Sequence, residues 1–136
     1  MTAERRLAYA DSSALVKLVV SEPESGALRR HLASGQRLAA SRIALVEVPR
    51  ATRLADPTPE TERDTEKILA SCTLVDVDDS LLRAAAGLAS ESLRTLDAIQ
   101  LASALKVEAD EFLVYDRRLA AAADGQGLDV VRPGRD

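Results

Sequence analysis

The hydrophobic positions of this chain fall in short blocks whose internal spacing switches between strand and helix periods. Leu7–Asp11 reads as a first strand that ends in an aspartate. Ser12 and Ser13 lead from it into Ala14-Leu15-Val16-Lys17-Leu18-Val19-Val20, which reads as a helix. Ser21-Glu22-Pro23-Glu24 breaks the chain, and a helix from about Glu24 to Ser34 follows, with Ala27, Leu28 and Leu32 on one face and Gly35 ending it. Arg37–Ala40 is a second strand. Ser41 then caps a helix that carries Ile43, Leu45, Val46 and Glu47, and Pro49 predicts a kink just after Glu47. Leu54-Ala55-Asp56-Pro57-Thr58-Pro59 is a loop, and Thr61–Ala70 a charged helix with one wet side. Thr73–Val77 is a third strand. Asp78, Asp79 and Ser80 offer caps for a helix over Leu81–Ala89, with Leu81, Ala84, Ala85 and Leu88 facing inward. Phe112–Tyr115 is a fourth strand ending at Asp116, Arg117 begins a helix stopped near Gly125, Leu128–Val131 is a last strand, and Pro133–Asp136 is a frayed tail.

The chain is organised around Ser92-Leu93-Arg94-Thr95-Leu96-Asp97-Ala98-Ile99-Gln100-Leu101-Ala102-Ser103-Ala104-Leu105. This stretch reads as a loop, a cap at Thr95 and a helix, with Asp97 in the first turn where the helix dipole favours negative charge. Gln100, Ser103 and Lys106 form one thin polar stripe on a helix otherwise apolar all round, so the helix belongs in a core. Asp97, at the mouth of a buried helix, is either a cap or part of a site.

Strands alternating with helices over 136 residues predict one domain, an α/β fold, as a three-layer α/β/α sandwich with a mostly parallel sheet of four to five strands. Composition sharpens this: 46% of residues are apolar but only 2% aromatic, so Leu, Val, Ile and Ala must fill the core. A formal net charge of −4 argues against a general nucleic-acid binder, though not against a local basic rim. Cys72 is the only cysteine, which excludes an intramolecular disulfide and suits a cytoplasmic protein; it reads as a small buried residue. No signal peptide is visible after Met1–Arg6, and no apolar run reaches membrane-spanning length, so no membrane partner is expected. His31, the only histidine, looks like part of an exposed helix face, and a zinc site is not expected.

The candidate chemistry lies in four acids. The first and fourth strands both end in aspartate followed by a helix, and in a parallel sheet such ends share one edge, so Asp11 and Asp116 face one crevice. Asp11 on its own segment reads equally as a helix cap. Asp97 and Glu47 can reach the crevice from the sides, although Glu47 could instead form an ion pair with Arg50 or another base. Carboxylates gathered this closely raise one another's pKa and persist with a cation among them, and all-oxygen donors favour Mg2+ or Mn2+. Such ions suit phosphodiester hydrolysis, one activating a water and a second, roughly 3.5–4 Å away, stabilising the leaving oxygen. The paired Asp78 and Asp79 read as caps rather than ligands.

Asp11-Ser12-Ser13-Ala14-Leu15-Val16-Lys17 resembles the opening motif of PIN-domain ribonucleases. Val46-Glu47-Val48, Leu93-Arg94-Thr95-Leu96-Asp97-Ala98-Ile99-Gln100-Leu101-Ala102 and Val114-Tyr115-Asp116-Arg117-Arg118-Leu119 resemble its later motifs in the right order, over nearly the whole chain. Length and the motif around Asp97 are similar to VapC-type toxins of bacterial toxin–antitoxin pairs. The resemblance implies a catalytic and metal-binding quartet of Asp11, Glu47, Asp97 and Asp116, with Ser13 and Thr95 supporting it. It implies a magnesium-dependent (or manganese-dependent) endoribonuclease acting on RNA, a homodimer, and a cognate VapB-like antitoxin that blocks the site. Gln100 stands where many relatives have histidine, a departure expected to matter little, and Pro49 makes Glu47 the least secure of the four.

Lys17, Arg50, Arg53, Arg94, Arg117 and Arg118 lie near the acids in sequence and are candidates for a basic rim, with RNA read through shape and backbone. A different class of function is a catalytically silent PIN-fold binding module for an antitoxin-like partner, which the intact quartet argues against. A haloacid-dehalogenase-like phosphatase would carry an aspartate two positions after Asp11, where Ser13 stands. A response-regulator receiver would use an aspartate at the end of the third strand; Asp78 could be forced into that role, but the order of the remaining motifs fits poorly.

Overall fold

The computed structural model describes residues 5–88 and 93–135. In chain order the elements are β1 (Leu7–Ala10), α1 (Ser12–Lys17), α2 (Ser25–Leu32), β2 (Arg37–Ser41), α3 (Ala44–Ala55), α4 (Pro59–Ala70), β3 (Cys72–Val75), α5 (Asp79–Ala86), α6 (Thr95–Lys106), β4 (Glu111–Leu113), α7 (Arg117–Gly125) and β5 (Val130–Val131). The strands form one five-stranded sheet in the order β3-β2-β1-β4-β5, and every pairing is parallel. The expected α/β sandwich is therefore present, with the sheet wholly parallel.

The side chains of β1 alternate between the two layers, as the pleat requires. Ala8 and Ala10 meet Leu15, Leu28, Ala44, Val48 and Leu69 of α1 to α4, while Tyr9 meets Leu81, Ile99, Leu101 and Leu119 of α5 to α7. Tyr9 also stands opposite Phe112 in register, with the rings edge to face at 5.3 Å between centroids. Helix α6 buries Ile99 through Ala104 without a break, which is why its sequence is apolar all round.

Several expectations shift at element ends. Strand β1 stops at Ala10 and α1 at Lys17, so Leu18–Val20 form a turn rather than more helix. Ser41 is the buried last residue of β2, and its hydroxyl accepts from the Ile43 N–H instead of capping α3. Helix α3 runs unbroken through Pro49 to Ala55, so the proline does not end it. The carbonyl that Pro49 leaves without its helical donor belongs to Leu45, an exposed residue, so water can serve it. The expected loop over Leu54–Pro59 shrinks to residues 56–58, because α4 begins with Pro59 at its first position and Thr58 as cap. Thr95 is the first residue of α6, and Arg94 holds the cap position. Ala84 is exposed, leaving Leu81 and Ala85 to anchor α5. Tyr115 lies beyond β4, and Asp116 follows the strand by three residues.

Two local readings are corrected. His31 is half-buried, with Nε2 2.9 Å from Oε1 of the buried Glu111. The tail is tied down through Arg135: the Tyr115 hydroxyl donates to the Pro133 carbonyl at 2.8 Å, and Arg135 Nε donates to Glu24 Oε2 at 2.8 Å. The expected end of α5 at Ala89, Ser92 of the central stretch, and Asp136 lie outside the described residues. Among the described residues, no helix is long and apolar enough to cross a membrane.

Candidate active site

Strand order reverses between β1 and β4, since the chain builds outward from β1 to β3 and then crosses back to β4. Above the carboxyl ends of two such strands a parallel sheet leaves a crevice. Asp11 follows β1 directly, and its N–H donates to the Leu113 carbonyl at 3.0 Å, which sets it at that crevice. It occupies the cap position of α1, yet its carboxylate makes no capping bond; it accepts from Ser13 Oγ at 2.8 Å. The capping alternative therefore does not account for Asp11. Burial, with 9% of the residue exposed, pushes its carboxyl up to about 6, and the charges of Glu47 and Asp97 add to the rise while the Ser13 bond opposes it.

Glu47 stands in the first turn of α3, where Leu45 and Val46 beside it are exposed and do not bury it. Its Oε1 accepts from Ser12 Oγ at 2.8 Å and from Gln100 Nε2 at 3.1 Å. Among the described residues it makes no ion pair with Arg50, so that alternative also fails. Asp97 lies in the first turn of α6, half-buried, and its carboxyl is raised by burial first and then by the charges of Asp116 and Glu47, against the pull of Arg94. Asp116 caps α7, its Oδ1 accepting from the Leu119 N–H at 2.9 Å, which leaves Oδ2 free of that bond.

An open cleft of about 590 Å³ lies between these elements, lined by Glu47, Thr95, Leu96, Asp97 and Asp116 with Arg94 and Arg118. Asp11, buried and held by Ser13, lies near enough to Glu47 and Asp97 for their charges to act on it. The structure thus brings Glu47, Asp97, Asp116 and Thr95 to one cleft, with Asp11 near Glu47 and Asp97 but outside the cleft lining, and Ser13 exposed and bonded to Asp11. None of the four acids has an ion-pair partner within 4.0 Å among the described residues, in contrast to Glu24, which is held by Lys17 and Arg135. The donor set is entirely oxygen, carries uncompensated negative charge, and fits a hard divalent cation. Among the described residues, no group of three acids, histidines or cysteines already encloses a position for an ion.

Of the expected basic rim, Arg94 and Arg118 reach the cleft, but Lys17 does not. Its ammonium is buried against Glu24 at 2.8 Å and Glu22 at 3.1 Å, 4.7 Å from the centre of the Tyr115 ring. Arg53 pairs with Glu62 on α4. Asp78 caps α5 as expected, its Oδ1 accepting from the Leu81 N–H at 2.9 Å. Three residues at the site were not picked out from the sequence as functional: Ser12, Tyr9 and above all Gln100. The signal for Gln100 was its position, since a long polar side chain on a helix apolar all round must find a buried partner.

The match to known proteins agrees with this architecture. Residues 8–125 match the model of the PIN domain family, and the chain belongs to that family. Within it, the chain groups with the VapC ribonucleases. It is 43% identical to Ribonuclease VapC46 of Mycobacterium tuberculosis over 127 residues, covering 92% of this chain and 96% of that one, and 33% identical to Ribonuclease VapC47 over 132 residues, covering 93% and 96%. Among solved structures, M. tuberculosis VapC20, described as a sarcin–ricin loop cleaving toxin, superposes with a TM-score of 0.76 at 19% identity, covering 93% of this chain and 99% of that one. A toxin–antitoxin complex from Klebsiella pneumoniae gives 0.71 at 23% identity, covering 93% and 97%. At these identities both show the shared fold.

Proposed function

We propose that this chain is a metal-dependent endoribonuclease and the toxin of a toxin–antitoxin pair, acting as a single domain in the cytoplasm. The observation that carries the reading is the set of four acids, Asp11, Glu47, Asp97 and Asp116, gathered at the strand-order reversal with no cation paired to any of them among the described residues. The ribonuclease names of relatives at 43% and 33% identity point to RNA as the substrate class.

Glu47, Asp97, Asp116 and the nearby Asp11 are the residues that would hold Mg2+ or Mn2+. A bound divalent ion supplies Lewis-acid activation of water and charge neutralisation at the phosphodiester. Ser13 keeps the Asp11 carboxylate oriented through its 2.8 Å bond, and Ser12 does the same for Glu47. Arg94 and Arg118 at the cleft give the RNA backbone a positive contact that the acids would otherwise repel. Thr95, at the exposed start of α6, supports the site from the same wall. The complexes in which similar folds were solved support an antitoxin of the VapB kind as partner, and a homodimer belongs to the same reading.

The test is cleavage of a total RNA pool by purified, antitoxin-free protein with magnesium, with chelator, and as Asp97→Asn. Discrete magnesium-dependent fragments that vanish in the variant are expected. Folded protein giving the same lanes in all three would overturn the nuclease reading in favour of a silent binding module.

A further inference from the structure

Behind the acidic cleft lies a closed chain of hydrogen bonds that runs from the central strand to Glu47. Tyr9 Oη, on β1 and fully buried, donates to Gln100 Oε1 at 2.5 Å. Gln100, 2% exposed, donates from Nε2 both to Ser12 Oγ and to Glu47 Oε1, each at 3.1 Å. Ser12 Oγ in turn donates to the same Glu47 oxygen at 2.8 Å. Tyr9, Gln100 and Ser12 come from three different elements and are all buried.

We propose that Gln100 is a positioning residue for Glu47: its amide, oriented by Tyr9, holds Oε1 of Glu47 and so leaves Oε2 turned to the cleft. This rests on the reading of Glu47 as part of a metal-binding site. The orientation of the amide is determined at both ends. An ionised carboxylate only accepts, so the end of Gln100 that meets Glu47 must be the NH2 group. The carbonyl end then faces the buried Tyr9 hydroxyl, which donates to it. Turning the amide over would set its oxygen against the Glu47 carboxylate. A carboxylate with one oxygen saturated by two donors has one face left for a cation, and outer partners of this kind normally set how well a ligand binds. A side chain that merely fills space at this position would need no polar atoms.

Calorimetric titration of the full-length chain with Mn2+ alone, without RNA, separates the possibilities. Gln100→Met keeps the length of the side chain and removes all three bonds. Mn2+ binding is expected to weaken roughly ten- to a hundredfold, as for loss of an outer partner of a metal ligand. Gln100→His, whose ring can accept from Tyr9 and donate to Glu47, should restore binding to within a few-fold of wild type. Tyr9→Phe keeps the ring against Phe112 and removes only the orienting donor; it should weaken Mn2+ binding several-fold, and it serves as the test if Gln100→Met does not fold. Wild type that binds Mn2+ beside a Gln100→Met, or failing that a Tyr9→Phe, of equal affinity would overturn the positioning role alone. Wild type that binds no Mn2+, beside an Asp97→Asn that is equally inert, would overturn the metal-site reading and this role with it.

Discussion

Asp11 shows how burial turns an ordinary carboxyl into a stability liability. Burial pushes its carboxyl up to about 6, from an ordinary value near 3.8, so the fold favours the protonated form. Its contribution to stability is therefore complete below the lower value and lost as pH rises through the upper one. At about 1.4 kcal/mol per unit, the loss is on the order of 2–3 kcal/mol. Urea unfolding of chelated protein at pH 4.5 and pH 7.5 should show wild type losing about 2 kcal/mol of stability relative to Asp11→Asn, since part of the effect is already lost above the lower value. Equal pH dependence in the two proteins would refute it. Adding Mg2+ at about a hundred times its dissociation constant should return roughly 2.7 kcal/mol to wild type and little to Asp97→Asn, read as a shift in Tm.

Helix α6 is the element that joins core and site, and burial alone separates its leucines. Leu101 is 1% exposed and packs against the sheet, whereas Leu96 is 51% exposed at the cleft. Leu101→Ala should cost about 2–5 kcal/mol, and Leu96→Ala should stay within about 0.5 kcal/mol, by denaturant titration. The same helix explains why its polar stripe could not be interpreted from spacing. Gln100 and Ser103 lie at the predicted three-residue interval, but both are buried, Ser103 bonding back to the Ile99 carbonyl at 2.7 Å and Gln100 reaching across to β1 and α3. Only Lys106 of the three behaves as a wet residue, 3.6 Å from Asp78.

At the scale of the molecule, the last residues close the fold against the start of α2. Buried Glu24 receives Lys17 Nζ and Arg135 Nε, each at 2.8 Å, and these bonds lower its carboxyl to about 2. Arg132 donates to the Tyr115 carbonyl at 2.8 Å, one residue before Asp116. Gly134 takes φ +89°, which disfavours any side chain, and a Cβ there would stand a tight 3.3 Å from Glu24 and Ala27. Truncation after Val131 should therefore lower stability by about 1–3 kcal/mol, since it removes a charge partner of a buried carboxylate. It should also speed amide exchange at Tyr115 and Asp116. Unchanged exchange there would mean that the tail does not brace this wall of the cleft.

The alternation of strand and helix, the apolar character of α6, and the position of acids just past the first and fourth strands were all readable from the sequence, because each depends on local periodicity or on neighbours in the chain. Element ends were less so: Ser41, Thr95 and Pro49 carry cap and breaker chemistry, but packing assigned Ser41 to a strand and carried α3 past its proline. What only the tertiary structure decided are the partnerships across distance. Lys17 has the residue type and sequence position of a substrate contact, yet it is consumed by Glu24 and Glu22. His31 has the look of a surface residue and pairs with a glutamate on β4. Gln100 looked incidental and proves to touch Tyr9, Ser12 and Glu47. Residue type and periodicity determine which groups must be buried or capped. Which buried polar group meets which is determined by strand order and helix packing, and those follow from the sum of many weak contacts rather than from any single stretch of sequence.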